Sequence, residues 1–273
     1  PPWCPLSLIS PAQPSLPPGW NFPVMAKAAR GGYDGKGTIV LENIDALAQL
    51  LRSVDISDWL LEAWVDYERE LALVVSRDSK GRLRSFPLVE THQHDQVCDW
   101  VLAPAGVDQA VEALAYNVAA SLLPKLNYVG VLALEFFYGP AGLQVNEIAP
   151  RTHNSGHFSI EACTSSQFDQ QVCIAAGLSV PTPELRSDGA LMVNLLGLDT
   201  NKAAPLDQRL TALREIPNAH LHWYGKSPET PGRKLGHITV LLNASDADHR
   251  QRQAIDVLAV VRGIWPVFPT DQD

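Results

Sequence analysis

The sequence is short of cysteine, of positive charge and of long apolar runs, and each shortage excludes a class of protein. The four cysteines among 273 residues form no C-x-x-C pair, so neither a zinc site nor a disulfide framework is expected. The formal net charge of -9 disfavours nucleic acid and anionic membranes as partners. No apolar run reaches the roughly 18 residues of a membrane span, and the first residues do not resemble a signal peptide. We therefore expect a cytoplasmic protein that binds small molecules, with neither nucleic acid nor membrane as a partner.

The hydrophobic content of 46% is enough for one large domain or two modest ones. Residues 1–21 are rich in proline, which predicts a linker or the remnant of a domain junction. Residues 22–185 mix strand and helix patterns without regular alternation, including a strand over 82–89, and predict an α+β domain. Residues 186–273 predict a small β-rich carboxy-terminal domain.

Two helix starts carry capping signals. Asn43 is a candidate N-cap for a helix over residues 43–52. Ser245 with Asp248 form a capping pair for a helix over residues 245–261. Both predictions can be compared directly with the structure.

Two acidic residues are placed to face each other in a predicted hairpin. If its loop is the three-residue segment 140–142, Glu135 lies directly opposite Glu147. Opposed Cβ atoms lie roughly 5 Å apart, so two carboxylates there repel unless a cation lies between them. Asn146 adds a neutral oxygen. Such hard ligands suit Mg²⁺, with Mn²⁺ as the second candidate; the alternative is a pair of carboxylates on a solvated sheet face.

A glycine-rich segment follows a lysine in a predicted strand. Lys27 precedes Arg-Gly-Gly-Tyr-Asp-Gly-Lys-Gly at residues 30–37, and glycine backbones can wrap around phosphate oxygens. The segment is not a Walker A loop, because Gly37 stands where that motif needs Ser or Thr. Alone it indicates a flexible hairpin; together with the lysine and the downstream acids it predicts a lid over phosphates.

Two further segments carry polar residues suited to an anionic substrate. Residues 146–157 bring an arginine, two imidazoles and an amide directly after the second acid. The alternative is a capped loop whose histidines bind backbone groups. A second cluster could clamp a phosphate or be ordinary solvated surface; its members are Lys226, Arg233, Lys234 and His237.

Taken together, these stretches resemble the 5-(carboxyamino)imidazole ribonucleotide synthetase branch of the ATP-grasp ligases. The resemblance covers residues 22–240, and its most specific parts are Pro-Arg-Thr-His-Asn-Ser-Gly-His at 150–157 and Pro-Gly-Arg-Lys-Leu-Gly-His at 231–237. It implies an α+β ATP-grasp fold, in which two α+β subdomains grip ATP, followed by the small carboxy-terminal domain. It also implies a homodimer.

The resemblance implies a role for each matching position. Lys27 and Arg151 would be catalytic, and Glu135 and Glu147 would bind magnesium. The ATP-binding residues would be Lys27, Gly32, Tyr33, Asp34, Gly35, Lys36, Gly37, Thr38, Glu62, Ala63, Trp64, Val65, Glu70, Gln93, Asn146 and Glu147. The residues lining the bicarbonate and ribonucleotide site would be Tyr33, Asp34, Arg151, His153, Asn154, Ser155, Lys226, Arg233 and Lys234.

The implied reaction is ATP-dependent carboxylation of 5-aminoimidazole ribonucleotide with bicarbonate, through carboxyphosphate, in purine biosynthesis. The alternatives are another ATP-grasp carboxylate-amine ligase and a truncated, non-catalytic nucleotide-binding module. The sequence departs from the family at Gln93, which stands in register with the family's histidine, with His92 and His94 as possible substitutes. It also begins after the position of the family's amino-terminal domain, so we expect that domain to be missing.

Overall fold

A computed structural model describes residues 1–31, 37–198 and 204–267. The chain forms two compact units, an amino-terminal unit (Pro1–Tyr67) and a larger unit (Glu68–Asp273). Each mixes helices with antiparallel strands, as the predicted α+β class requires. No helix within the described ranges is long and apolar enough to cross a lipid bilayer.

The amino-terminal unit is a four-stranded sheet packed against one helix. The strands are β1 (Trp3–Pro5), β2 (Val24–Ala28), β3 (Thr38–Leu41) and β4 (Trp59–Ala63), and the helix is α1 (Ile44–Ser53). The order in the sheet is β1-β4-β2-β3. Asn43 caps α1, because its side chain accepts a hydrogen bond from the Ala46 amide at 3.0 Å, so the capping prediction is confirmed.

The predicted linker over residues 1–21 is partly structured. β1 pairs with β4 through Trp3 and Glu62, and Leu6 and Ile9 are buried in the core of this unit. The proline-rich composition hides these contacts, because two apolar residues within a short stretch produce no periodic signal.

The larger unit is built on one nine-stranded sheet. Its strands are β5 (Arg69–Arg77), β6 (Leu83–Ser85), β7 (Val89–His94), β8 (Val97–Ala103), β9 (Gly130–Gly139), β10 (Gly142–Ala149), β11 (Gly189–Leu196), β12 (Ala219–Trp223) and β13 (Lys234–Leu242). The order is β10-β9-β5-β7-β8-β11-β13-β12, with β6 pairing with β5. The sheet continues across the predicted domain boundary at residues 185 and 186, because β11 pairs with β8; that boundary stays a prediction.

Within the described residues, the larger unit has five α-helices. They are α2 (Gln109–Lys125), α3 (Ser159–Ala162), α4 (Gln167–Ala175), α5 (Leu206–Arg214) and α6 (Ala247–Ile264). α2 packs on the apolar side chains of β5, β9 and β10 that point away from Glu135. α6 packs on β11 and β13, and α5 packs on β12 and α6. α3 and α4 cover the opposite face.

Two local predictions about the larger unit are wrong. The strand expected over residues 82–89 is divided, since β6 ends at Ser85 and β7 begins at Val89; Pro87 lies in the gap and has no amide proton for a ladder. The N-cap of α6 is Asp246, whose carboxylate accepts from the His249 amide at 2.8 Å. Asp246 and Ser245 are equally good capping residue types, so sequence alone does not separate them.

Candidate active site

Glu135 and Glu147 lie directly opposite each other in the β9–β10 hairpin. Near the turn the loop has two residues, because Gly139 pairs with Gly142. The predicted three-residue loop is therefore wrong, and the register beside the turn differs by one. A β-bulge between Val145 and Glu147 inserts one extra residue and restores the facing pair.

The surroundings of Glu135 oppose its negative charge. Its side chain is 19% exposed, and burial, Glu147 and Glu70 together raise its pKa to about 7, against the opposing pull of Lys234 and Arg151. Glu135 and these four charged neighbours are all among the site residues that the sequence predicted. The electrostatic cost of this carboxylate pair is what a bound cation would remove.

His153 is directed at Glu135. Its Nε2 lies 3.3 Å from Glu135 Oε1, while its Nδ1 accepts a hydrogen bond from the Ser155 amide at 3.3 Å and lies 2.9 Å from the Ser155 hydroxyl. An accepting Nδ1 places the proton on Nε2, on the side of the ring that faces the carboxylate. His153 and Ser155 were predicted to line the substrate site. The structure places His153 beside a predicted metal ligand and Ser155 against the other ring nitrogen, and their role in substrate binding stays a prediction.

The polar segment that contains these residues is held by the buried side chain of Gln167, at the start of α4. Gln167 accepts from the His153 amide at 2.8 Å and donates to the His153 carbonyl at 2.7 Å. It also contacts His157 Nδ1 at 3.0 Å. A Cβ at Gly156 would lie 2.7 Å from the Gln167 side chain, so the glycine leaves the space that Gln167 fills.

Asn154 is anchored to the sheet by a second buried amide. Asn154 and Asn194 exchange two hydrogen bonds, at 2.9 and 2.7 Å. Asn194 lies on β11, is fully buried, and also donates to the Cys98 carbonyl at 2.8 Å. The Asn154 amide therefore fixes the polar segment to the sheet.

The register of β7 and β8 separates Gln93 from its two neighbouring histidines. Gln93 faces Cys98, which packs in the same core cluster as Ala72, the residue that faces Glu135. Gln93 therefore shares the face of the sheet that carries the acids. His92 instead pairs and stacks with Trp100 on the other face, because successive residues of a strand point to opposite faces. A bulge makes Asp99 the extra residue of β8, which places Cys98 and Trp100 on opposite faces as well.

The other predicted positions of the larger unit lie at three places. Glu70 faces Phe137 on β9 and Thr91 on β7. Arg151 is exposed and donates to the Thr152 carbonyl at 3.0 Å. The basic cluster follows β12 and enters β13; there Lys226 donates to the Lys234 carbonyl at 2.9 Å and Arg233 to the Pro228 carbonyl at 2.9 Å.

In the amino-terminal unit, Lys27 on β2 and Glu62 on β4 form an ion pair with Nζ 2.7 Å from Oε2. Ala63 ends β4, and Trp64 and Val65 follow it. Gly37 has a φ of 83° and its carbonyl accepts from the Ala28 amide. Thr38 faces Lys27 across β2 and β3. The remaining predicted loop residues lie outside the described ranges; they are Gly32, Tyr33, Asp34, Gly35 and Lys36.

The donor set at Glu135 and Glu147 fits a magnesium ion. Within residues 1–31, 37–198 and 204–267, the one group of three potential ligands is Glu135, Glu147 and His153, whose donor atoms lie within 4.8 Å of one another. Two carboxylates supply the hard oxygen ligands that Mg²⁺ prefers. The imidazole Nε2 lies 3.3 Å from Glu135 Oε1, where it would orient the carboxylate and leave the other oxygens for the ion.

Comparisons with known proteins agree with this architecture. The family model of the ATP-grasp domain matches residues 14–168, and that of the phosphoribosylaminoimidazole carboxylase C-terminal domain matches residues 190–252. The chain belongs to the ATP-grasp family, and the predicted fold class is confirmed.

Within that family, the chain is similar to N5-carboxyaminoimidazole ribonucleotide synthases. That of Synechococcus elongatus is 47% identical over 248 residues, 90% of this chain and 62% of that protein. The crystal structure of the Thermus thermophilus enzyme matches with a TM-score of 0.78 and 31% identity, over 92% of this chain and 64% of that one. The resemblance predicted from the motifs is confirmed, and the chain spans less than two thirds of these relatives' length.

A third match carries ligands. The crystal structure of N5-carboxyaminoimidazole synthase from Aspergillus clavatus, in complex with ADP and 5-aminoimidazole ribonucleotide, has a TM-score of 0.75 and 31% identity. The match covers 89% of this chain and 62% of that one.

Sequence reasoning missed the residues that support the site. Gln167 and Asn194 were not predicted, because a glutamine at a helix start and an asparagine in an apolar strand have no motif of their own. For Asn194 a signal existed: an amide inside Leu-Met-Val-Asn-Leu-Leu must be hydrogen bonded if that strand is buried.

Proposed function

We propose that this protein takes part in the ATP-dependent carboxylation of 5-aminoimidazole ribonucleotide by bicarbonate, in purine biosynthesis. The observation that carries the proposal is the convergence of the Glu135 and Glu147 carboxylates with the charges of Arg151 and Lys234. Such a cluster suits a metal, a phosphoryl group and an anionic substrate. The names of the relatives and the ligands of the Aspergillus clavatus complex support the same assignment.

Glu135 and Glu147 would hold Mg²⁺, with Mn²⁺ as the second candidate, and Asn146 would add a neutral oxygen. A metal bound there would neutralise charge on the phosphoryl group during its transfer. His153 would help to hold Glu135 in place, because its Nε2 lies 3.3 Å from Glu135 Oε1. This would keep one ligand fixed while substrates exchange.

ATP would be bound by residues from both ends of the ATP-grasp match. Lys27 and the segment 32–38 are assigned to the phosphates, residues 62–65 to adenine, and Glu70 to the ribose. The ion pair of Lys27 with Glu62 supports this assignment, because it fixes the ammonium group of a lysine that is to meet phosphate oxygens.

The reaction has two steps in this proposal. A bicarbonate oxygen attacks the γ-phosphorus of ATP, which releases ADP and forms carboxyphosphate. The exocyclic amine of the ribonucleotide then attacks the carboxyl carbon, releases phosphate and loses a proton. Arg151 would orient bicarbonate through its planar guanidinium. Lys226, Arg233 and Lys234 of the basic cluster would bind the ribonucleotide phosphate. Asn154 is assigned to the walls of the same site, whereas Gln93 is assigned to the ATP site.

The test is ADP release by the full-length protein. We expect release that depends on both bicarbonate and 5-aminoimidazole ribonucleotide, and at least about a 100-fold loss in Lys27→Met, since the cation stabilises a developing charge. Lys125→Met, at the exposed end of α2, is the matched control and should keep full activity. ADP release that ignores the ribonucleotide would overturn the proposal.

The alternative is that the protein is another ATP-grasp carboxylate-amine ligase, with a different substrate. Gln93, in place of the family histidine, favours this alternative. A panel of carboxylates and amines, assayed for ADP release, separates the two. A protein that binds ATP but turns over no member of the panel would be a nucleotide-binding module. We also propose a cytoplasmic homodimer, which sedimentation analysis of the full-length protein would test.

A further inference from the structure

Three neighbouring histidine rings, the histidine stack, lie beside the polar segment of the site. His237 on β13 stacks on His222 of β12, with ring centroids 4.5 Å apart and planes 12° apart. The ring of His157 also contacts that of His237, with centroids 5.0 Å apart and planes tilted by 40°. His237 faces Asn194 in the sheet, so the stack lies next to the amide pair that anchors Asn154.

Hydrogen bonds fix two members of the stack. His222 Nε2 lies 2.6 Å from Glu161 Oε1, and the Tyr224 hydroxyl lies 2.6 Å from His237 Nδ1. Burial lowers the pKa of His237 to about 3 and raises that of Tyr224 to about 12. The tyrosine therefore keeps its proton. The imidazole stays neutral, so its Nδ1 can accept a hydrogen bond from the tyrosine hydroxyl.

Tyr224 connects the stack to the basic cluster. Lys226 Nζ lies 4.9 Å from the centroid of the Tyr224 ring, a distance at which the ring attracts the cation. The same ammonium donates to the Lys234 carbonyl at 2.9 Å. The position of Lys226 thus depends on a ring whose hydroxyl is held by His237.

Packing alone does not explain the histidine stack, because its polar atoms and its close strand approach destabilise the fold. His237 Nε2 and Glu161 Oε2 are buried and have no hydrogen-bond partner within the part of the chain that the structure describes, and such orphan atoms destabilise a fold. A Cβ at Gly236 would lie 2.5 Å from the His222 carbonyl, so only glycine permits this close approach of β12 and β13. Apolar side chains would fill the same space at lower cost.

The stacked geometry does not suit a metal. Rings that lie face to face direct their nitrogens outward and not towards one common point. His222 Nε2 and His237 Nδ1 are also occupied by Glu161 and Tyr224.

We propose that His237, Tyr224, His222 and Glu161 are positioning residues that hold Lys226 for the phosphate group of the substrate. The proposal rests on the ribonucleotide reaction proposed above, and it concerns residues that do not themselves touch the substrate. Because the network acts on one lysine, its loss weakens binding of the phosphorylated substrate and leaves ATP binding and the chemical step alone.

The test compares KM for 5-aminoimidazole ribonucleotide with KM for ATP and with kcat. Tyr224→Phe and His237→Leu should raise KM for the ribonucleotide about three- to tenfold, the usual value of one hydrogen bond, with KM for ATP and kcat unchanged. His237→Asn should recover most of the loss, because its Oδ1 can accept the tyrosine proton near the position of Nδ1. Tyr116→Phe and His220→Leu, both exposed, are the matched controls.

A direct titration makes the result independent of turnover. Ribose 5-phosphate, a phosphomonoester probe, should bind the wild-type protein more tightly than Tyr224→Phe by the same three- to tenfold factor. Equal binding, or an equal change in both KM values, would overturn the positioning role. Absence of any ribonucleotide-dependent turnover in the wild type, with the difference in titration kept, would instead overturn the proposed reaction.

Discussion

Glu147 faces Glu135 because one extra residue, Asn146, is inserted into β10 between Val145 and Glu147. Without this bulge, the two-residue turn would pair Glu135 with Asn146, and Glu147 would point to the other face of the hairpin. The carboxylate pair is therefore a product of turn length and bulge together. The two facing carboxylates repel each other, and a bound cation would remove that repulsion. The arrangement therefore indicates a cation site.

We expect the acid pair to reduce stability until a cation binds. In a divalent-free buffer, Glu147→Gln should raise the free energy of unfolding by about 1 kcal/mol, because it relieves the repulsion that raises the pKa of Glu135. Magnesium should raise the melting temperature of the wild type and leave that of the variant nearly unchanged. Scanning calorimetry with and without Mg²⁺ measures both effects.

The control for this experiment is Glu215→Gln, an exposed acid at the end of α5. It should show the same magnesium shift as the wild type. Equal shifts in the wild type and in Glu147→Gln would show that the ion binds elsewhere.

The glutamine at the start of α4 is expected to support the polar segment. Gln167→Leu should cost about 1–3 kcal/mol, because the His153 amide and carbonyl lose buried partners. Hydrogen exchange at the His153 amide should accelerate in the same variant. Gln109→Leu, at the exposed first position of α2, should change neither quantity, and unaltered exchange in Gln167→Leu would contradict the assignment.

The sequence predicted the acidic pair and the motifs, but not the residues whose side chains hold them in position. Asn43, Glu135 and Glu147 follow local rules of capping and hairpin pairing, which depend on neighbouring residues. Gln167 and Asn194 act on partners 14 and 40 residues away, and no local pattern carries that information. The bulge at Asn146 was missed for the same reason, although the error in loop length and the missed bulge cancelled at Glu135.

The hairpin of β7 and β8 was also missed. Its strands hold Glu-Thr-His-Gln-His and Val-Cys-Asp-Trp, where polar residues obscure the alternation that predicts a strand. Asp95 and Gln96 join them with positive φ values of 49° and 63°, the conformation of a tight hairpin turn. Asp95 suits the first position of such a turn, but its second position normally favours glycine, so the pair Asp95 and Gln96 does not indicate a turn by itself.

The reciprocal amide pair can be tested by a double-mutant cycle. Asn194→Ala should destabilise the protein more than Asn154→Ala, because Asn194 also donates to the Cys98 carbonyl. Their coupling energy should lie at about 0.5–3 kcal/mol, as for contacting residues. Urea unfolding of the four proteins gives the cycle. Additive effects would mean that the two amides do not depend on each other.

The histidine stack should make stability depend on pH. Burial lowers the pKa of His237 to about 3 and that of His157 to about 4, below the value of about 6.5 for an unfolded histidine. The unfolded chain then binds more protons than the folded one, so stability present above about pH 6.5 is lost as the pH falls. Each group contributes up to about 1.4 kcal/mol per pH unit.

The measurement is a comparison of the wild type with His237→Asn by urea unfolding at pH 7, 6 and 5. The variant should lose less stability, because one buried imidazole is gone while His157, His222, Glu161 and Tyr224 remain. Glu135 has the opposite sign, since its raised pKa makes acid stabilising, but it is common to both proteins. Parallel curves would contradict the prediction, and His220→Asn should match the wild type.

The pairing of β8 with β11 joins the two regions that match separate family models. We therefore expect neither region to be stable when it is expressed alone. A cut between them would uncover one edge of β8, where Val101, Leu102 and Ala103 are now buried, and an exposed apolar edge is a template for aggregation. Each region thus protects the other by covering one edge of a shared sheet.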